Sequence, residues 1–159
     1  MKNKKYIYLA TIFVIWLLFD RLTKIYFDSG EFFIGQKITD SFLGIFHFTL
    51  VHNTGGAFGL LGDATYFLAG FSILIAVLFI VLYVLNKDKV NILHTVSIAL
   101  ICAGGIGNAI DRLVNKYVTD FICFDFISFP VFNIADIGVT CGIILLIIAL
   151  LKKERNHDN

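Results

Sequence analysis

Four long apolar stretches separated by shorter polar ones set the pattern of this chain. Tyr6 to Phe19 runs fourteen residues without a charge, Ala64 to Leu85 runs twenty-two, and Val90 to Ile110 runs twenty-one without Asp, Glu, Lys or Arg. A fourth stretch runs from Asn133 to Leu151, with Asp136 as its one charge. A hydrocarbon core about 30 Å thick takes about 20 helical residues to cross. The pattern therefore predicts four transmembrane helices over approximately 6–25, 64–85, 90–112 and 133–151. Fourteen helical residues reach only about 21 Å, so the first helix has to continue past Asp20 toward Lys24. Lys2, Lys4 and Lys5 give it the basic start of a secretory signal peptide. No small-x-small cleavage site follows; Asp20-Arg21-Leu22-Thr23-Lys24 does, which predicts an uncleaved anchor.

Between the first two helices the period changes. Ile45-Phe46-His47-Phe48-Thr49-Leu50-Val51-His52 alternates as a strand does, with Phe46, Phe48 and Leu50 on one face. Strict alternation puts His47 and His52 on opposite faces. Asn53-Thr54-Gly55-Gly56 reads as a turn, and Ala57 to Leu61 as an apolar segment dipping into the membrane interface. A small sheet lying on the membrane surface is expected over about 30–58. The whole of 1–159 then reads as a single integral membrane domain, all-α with a small β element.

Composition agrees. The chain is 58% hydrophobic and 16% charged, against roughly 45–50% and 25% in soluble domains. One Pro and no Ser- or Gly-rich linker leave no sign of a second domain. A net charge of +1 offers nothing to nucleic acid. Charge placement says more. Eight basic residues (Lys2, Lys4, Lys5, Lys87, Lys89, Lys152, Lys153, Arg155) fall on the side of the termini, and five (Arg21, Lys24, Lys37, Arg112, Lys116) on the other. The positive-inside rule then predicts cytoplasmic termini and an extracytoplasmic face carrying the sheet, Asn108, Asp111, Arg112, Asp120 and the start of helix four. Cys102, Cys123 and Cys141 form no C-x-x-C pair and read as small core hydrophobes. The four histidines show no ligand spacing, so no metal and no cofactor are expected.

The stretch from Gly104 to Asp136 carries the candidate chemistry. Carboxylates near hydrocarbon are costly, about 2.5–3.5 kcal/mol each at a helix centre. This stretch holds Asp111, Asp120, Asp125 and Asp136. Asp120 and Asp136 lie sixteen residues apart on a connector and a helix start, so the turn lets them meet. Two close carboxylates share a proton. One then serves as general base for water and the other as general acid for a carbonyl oxygen or a leaving amine, which is peptide hydrolysis without a covalent intermediate. Asn108, Asn133 and Arg112 are natural donors around them. Each residue also has a plainer reading. Asp111 and Arg112 serve equally as a helix end near water, Asp120 as a solvated loop acid, and Asp136 as a first-turn carboxylate favoured by the helix dipole. Asp20 and Lys24, at i and i+4, read as a structural surface pair. Gly104, Gly105 and Gly107 precede a helix end rather than a helix start. They therefore suit close helix packing and not a phosphate cradle. Two other classes stay open on these residues: an ion-coupled transporter, though no repeat or broken midplane helix is visible, and a metal-dependent lipid-headgroup transferase.

The order of the motifs narrows this. The chain resembles the lipoprotein signal peptidases (signal peptidase II), aspartic membrane peptidases of bacteria. The matching segments are Asp20-Arg21-Leu22-Thr23-Lys24, Asn53-Thr54-Gly55-Gly56-Ala57-Phe58, Gly104 to Arg112, Val118-Thr119-Asp120-Phe121-Ile122 and Phe132-Asn133-Ile134-Ala135-Asp136, in the family's order. The resemblance implies a catalytic pair at Asp120 and Asp136, with Asp20, Asn53, Gly56, Asn108, Arg112, Asn133 and Ala135 in support. It implies a diacylglyceryl-prolipoprotein as substrate, cut just before the lipidated cysteine at the outer face of the cytoplasmic membrane. Membrane lipids are then the other partner, and a monomer is expected. Arg21 stands where the family commonly has Gln, and Gly56 where it commonly has Ala. Phe124-Asp125-Phe126-Ile127 partly repeats the Asp-Phe-Ile pattern; Asp120 is preferred because Val118 precedes it in the family's way.

Overall fold

The computed structural model describes residues 2–55 and 64–155. Gly56 and the segment from Ala57 to Leu61 lie outside the described residues. Four helices, α1 (Lys2–Phe27), α2 (Thr65–Leu85), α3 (Ile92–Val114) and α4 (Ile134–Arg155), are each long and apolar enough to cross a membrane. All four fall close to their predicted ranges. Lys5 at the start of α1 donates to the carbonyl of Val90 beside α3, so the α2–α3 turn shares the end of the bundle where α1 begins. The site lies at the opposite end.

α1 is inverted relative to a helix on a soluble protein. Leu18, Phe19, Leu22 and Ile25 are exposed, whereas Asp20, Lys24 and Phe27, at i, i+4 and i+7, are buried. Polar side chains in a spanning helix turn toward protein, and here they turn toward α3. Thr23 sits among them with its hydroxyl satisfied by the carbonyls of Phe19 (3.0 Å) and Asp20 (2.9 Å). Nothing ends the helix at its charges, and it runs two residues beyond the predicted 25.

α3 is the central helix and packs against the other three. Asn91 starts it, accepting at Oδ1 from the N–H groups of Leu93 (2.9 Å) and His94 (3.1 Å), as an N-cap does. Against α2 it meets a heptad-spaced seam of Ala69, Ala76 and Tyr83, all buried, and the Tyr83 hydroxyl bonds Thr95 Oγ1 at 3.0 Å. Toward the site the contact is closer still. A Cβ at Gly104 would overlap the carbonyl oxygen of Ala135, and one at Gly107 would lie 2.5 Å from Asp20 Oδ2. Gly104 and Gly107 thus serve packing, as expected. Gly105 faces α2 with ordinary clearance, 3.7 Å to Ser72 O.

Strand β1 (Phe46–Asn53) falls where alternation predicts it, and pairs antiparallel with β2 (Val118–Phe124). The sequence marks the region of β2 only as a mixed aromatic and polar connector. Its Val118, Thr119, Asp120 and Phe121 are all buried, so no period of two distinguishes it. The pairing is irregular: Phe48 opposes Ile122, but Val51 opposes Asp120. The extra residue on β1 is a bulge, which shifts every later side chain by one face. His47 therefore lies across from Cys123 and His52 across from Thr119, positions of the same parity on β2. The two histidines share a face, contrary to strict alternation. Phe27, at the end of α1, stacks on Phe121 (4.2 Å between ring centres, 15° between planes) and joins Leu50 and Ile134 in a small core. That core fastens the sheet to the helix ends.

Gly107→Ala is expected to cost about 1–3 kcal/mol by overpacking, while Gly105→Ala leaves stability nearly unchanged. Thermal unfolding of the two variants in detergent measures the difference.

Candidate active site

The local fold aims two carboxylates into one cavity. Asp136 sits in the first turn of α4, where the helix dipole favours negative charge. Its N–H donates to Asn133 Oδ1 (3.0 Å), and the N–H of Asn133 donates back to Asp136 Oδ2 (3.2 Å). This is the reciprocal pattern of a capping box. Asp120 lies mid-strand on β2, opposite Val51, and is 2% exposed. Three carboxamides converge on the pair. Asn53 Nδ2 donates to Asp120 Oδ2 (2.9 Å), Asn133 Nδ2 to Asp120 Oδ1 (2.6 Å), and Asn108 Nδ2 to Asp136 Oδ1 (2.8 Å). All four carboxylate oxygens thus accept one N–H from the protein. Each keeps a further lone pair for a shared proton, water or substrate. Asn133 serves both acids, its backbone N–H holding the Asp136 carboxylate and its carboxamide holding that of Asp120.

Beneath them lies a layer of buried charge. Lys24 Nζ is 3.0 Å from Asp20 Oδ2 and 2.9 Å from Asp111 Oδ2, as close ion pairs, and donates to Asn108 Oδ1 at 2.8 Å. Arg21 bonds Asp111 Oδ1. Asp20 Oδ1 accepts the N–H of Ala135 at 2.9 Å. Asp20 is 0% and Lys24 1% exposed, which corrects the surface-pair reading: the protein encloses both charges. Taken together, Asp20, Asp111, Asp120 and Asp136 face the cations Arg21, Lys24 and Arg112. Four carboxylates against three cations are neutral when one proton is held among the acids.

Arg112 projects from α3 into the cavity. It is 8% exposed, its Nε has no partner among the described residues, and its charge acts on Asp136, Asp120 and Asp111. A buried N–H without an acceptor is costly, and an incoming carbonyl or carboxylate oxygen would satisfy it. The cavity holds about 440 Å³. Asn53, Asn108, Arg112, Asp120 and Asp136 form its polar floor, and Phe124, Phe129, Phe132 and Val139 an apolar wall. Burial, and then the charge of Asp136, push Asp120 up from the usual 3.8 to about 7; the Asn53 and Asn133 hydrogen bonds pull it back less.

The structure thus gathers Asp20, Asn53, Asn108, Arg112, Asp120, Asn133, Ala135 and Asp136 at one end of the bundle. Gly56 lies outside the described residues. Asp125 is elsewhere, on the surface, with its carboxylate held by Ser41 (2.5 Å) and His47 (2.7 Å). Those two hydrogen bonds hold it below the usual carboxylate range. Asp111 pairs with Arg21 and Lys24. Cys102 is buried as expected, but Cys141 is exposed and lines the cavity, because an apolar run in a lipid-facing helix does not imply a buried position. Sequence reasoning passed over two groups. Lys24 is one; the sequence marks it only as half of an i, i+4 pair, which does not say which face of the helix is enclosed. The second is Asp28, which receives His52 Nε2 (2.8 Å) and the hydroxyls of Tyr117 (2.9 Å) and Thr119 (3.4 Å). It braces the strand residues adjoining Asn53 and Asp120, and no spacing in the chain marks it.

A family profile described as signal peptidase (SPase) II matches residues 12–152. The chain is 39% identical over 151 residues to a lipoprotein signal peptidase of Clostridium tetani, covering 92% of this chain and 94% of that relative. It is 41% identical over 158 residues to one of Staphylococcus aureus, covering 95% and 91%. Among solved structures, a bacterial membrane enzyme determined in meso at 2.3 Å superposes with a TM-score of 0.78 at 34% identity, over 93% of this chain and 90% of that one.

Asn133→Leu strips donors from Asp120 and from Asn108 and removes the cap of α4. It is expected to destabilise by about 1–3 kcal/mol for the orphaned acceptors and about 1 kcal/mol for the cap, read by thermal unfolding in detergent.

Proposed function

The chain belongs to the signal peptidase II family, and from that premise we propose that it is an aspartic endopeptidase whose catalytic pair is Asp120 and Asp136. Its family is that of the lipoprotein signal peptidases, which cleave signal peptides from prolipoproteins. The substrate in this reading is a diacylglyceryl-modified prolipoprotein, cut just before the lipidated cysteine. The observation that carries the reading is that both carboxylates line one cavity, each oxygen held by an N–H, with Asp120 pushed up to about 7.

Asp120 enters the cycle protonated and Asp136 ionised. Asp136 takes a proton from a water whose oxygen attacks the scissile carbonyl carbon. Asp120 gives its proton to the carbonyl oxygen as the C–O π bond opens, which yields a neutral gem-diol. Asp120 then recovers the hydroxyl proton while Asp136 gives its own to the leaving nitrogen. The C–N bond breaks, and the pair ends with the single proton it began with. Arg112 supplies the unpartnered Nε–H and the positive charge that steady the carbonyl oxygen as charge develops. The apolar wall takes the side chains and acyl groups beside the scissile bond. Asp20, through the N–H of Ala135, holds the start of α4 at the right height.

The site faces the outer leaflet of a bacterial cytoplasmic membrane, both termini lie in the cytoplasm, and one chain suffices for the chemistry. The basic residues of Met1–Lys5, the α2–α3 turn and the C-terminal end support this orientation. A lipid-anchored substrate then presents its scissile bond at the depth of Asp120 and Asp136 without leaving the bilayer.

Asp120→Asn and Asp136→Asn are each expected to lower cleavage of a lipidated prolipoprotein by about 10²–10⁴-fold, while Asp125→Asn leaves it intact. An active Asp120 or Asp136 variant sinks the role given to that acid. Cleavage is expected to survive EDTA, unlike that of a metal-dependent headgroup transferase. The pH profile carries a sign. Asp120 acts protonated, so activity falls as pH rises above about 7, approaching tenfold per unit. Its raised value also means the folded state binds the proton more tightly than the unfolded one. Stability therefore declines as pH climbs from about 4 to about 7.

A further inference from the structure

The three carboxamides that serve the aspartates differ in what holds their other ends. An Asn side chain has two ends of similar shape and opposite polarity. Which end faces a carboxylate is decided by what the remaining end meets. Asn53 Oδ1 accepts the backbone N–H of Gly55 at 3.1 Å, and Asn133 Oδ1 the backbone N–H of Asp136 at 3.0 Å. A backbone N–H only donates, so those two amides are pinned by the chain itself. Asn108 has no backbone donor among its contacts. Its Oδ1 meets Asn133 Nδ2 at 3.1 Å and Lys24 Nζ at 2.8 Å. Asn133 Nδ2 has two hydrogens and three acceptors, the nearest being Asp120 Oδ1 at 2.6 Å. The firm donor on Asn108 is therefore the ammonium of Lys24, which has no acceptor function at all.

We propose that Lys24 is a positioning residue of the peptidase reaction: by holding the carboxamide oxygen of Asn108, it turns that residue's NH2 toward Asp136 and keeps Asp136 the ionised, proton-accepting member of the pair. The inference rests on the aspartic reading above. With Asn108 turned over, its oxygen would face Asp136 Oδ1, and the contact would survive only with a proton on Asp136. The wrong acid would then hold the shared proton before water is activated. The groups around this relay are Asp20 and Arg21 on α1, Asp111 and Arg112 on α3, Asp120 on β2 and Asp136 on α4. Of these, Asp20 and Asp111 hold the ammonium in place, and Arg112 and Asp120 act on Asp136 from the cavity side. Lys24 and Asn108 come from different helices, so the contact also sets the depth of α1 against α3.

The test uses the full chain purified in detergent, with kcat and KM on a lipidated prolipoprotein from pH 5 to 9 and unfolding followed in parallel. Lys24→Met is expected to lower kcat at least tenfold with KM little changed. It should also move the acidic limb of the kcat profile upward, since Asp136 loses an N–H donor. Lys24→Arg keeps a donor-only cation and is expected to keep the limb near its native pH. Asn108→Leu leaves every ion pair of Lys24 in place and is expected to move the limb in the same direction; it serves if Lys24→Met does not fold. The double variant should be no worse in kcat than Asn108→Leu alone. Limbs unmoved in both Lys24→Met and Asn108→Leu, with only lowered unfolding temperatures, overturn the proposal. Asp136→Asn runs alongside: if it stays active, the aspartic reading itself fails; if it is inactive while the limbs stay put, only the assignment of Lys24 fails.

Discussion

A charge inside a membrane protein has to be cancelled within hydrogen-bond reach, and this structure is arranged around that requirement. Asp20, Lys24, Asp111 and Arg21 neutralise one another, and no water-facing surface is available to Asp20, Lys24 or Asp111. The requirement explains the inverted face of α1 and its length. It explains why α3 is central, since that helix supplies Asn108, Asp111 and Arg112 within five residues. It also explains the glycines. Gly107 makes room for the carboxylate of Asp20, and Gly104 for the carbonyl of Ala135, whose N–H completes the shell of Asp20. Side chains at either position would separate the ions that make the layer affordable in energy.

Above that layer the two acids come from different kinds of structure. Asp136 belongs to a helix start, a place that suits negative charge. Asp120 belongs to a strand buried on both sides, a place that resists it. The asymmetry is built from secondary structure before any substrate arrives. The sheet contributes through its irregularity as well. The bulge in β1 lets Asn53 reach Asp120 from one side while His52 reaches Asp28. One short strand thus serves the cavity and braces its own support.

How much of this the chain discloses depends on the kind of signal. The four helices are plain because a span must exclude charge over about 20 residues, a demand that leaves long uniform runs. Asp120 and Asp136 stand out as candidates because acids near such runs are costly, and the motif order singles them out from Asp111 and Asp125. The burial of Lys24 is not legible, because an i, i+4 pair looks the same on either face of a helix. Strand β2 is hidden because burial on both faces erases alternation. The bulge is hidden because its cause is the pairing with β2, a partner sixty-five residues away from the end of β1. Cys141 misleads because apolar surroundings in sequence mean lipid as readily as core.

The capping box at the start of α4 carries one more consequence. On the proposed chemistry, the side chain that takes a proton from water is also the one that ties down the first helical turn. Protonation weakens its hold on the backbone N–H of Asn133, the residue whose carboxamide, together with that of Asn53, holds Asp120. The two acids are thus linked through one residue as well as electrostatically. On that chemistry, the first turn of α4 is held most firmly while Asp136 is ionised, and it regains that hold once the leaving amine has taken the proton.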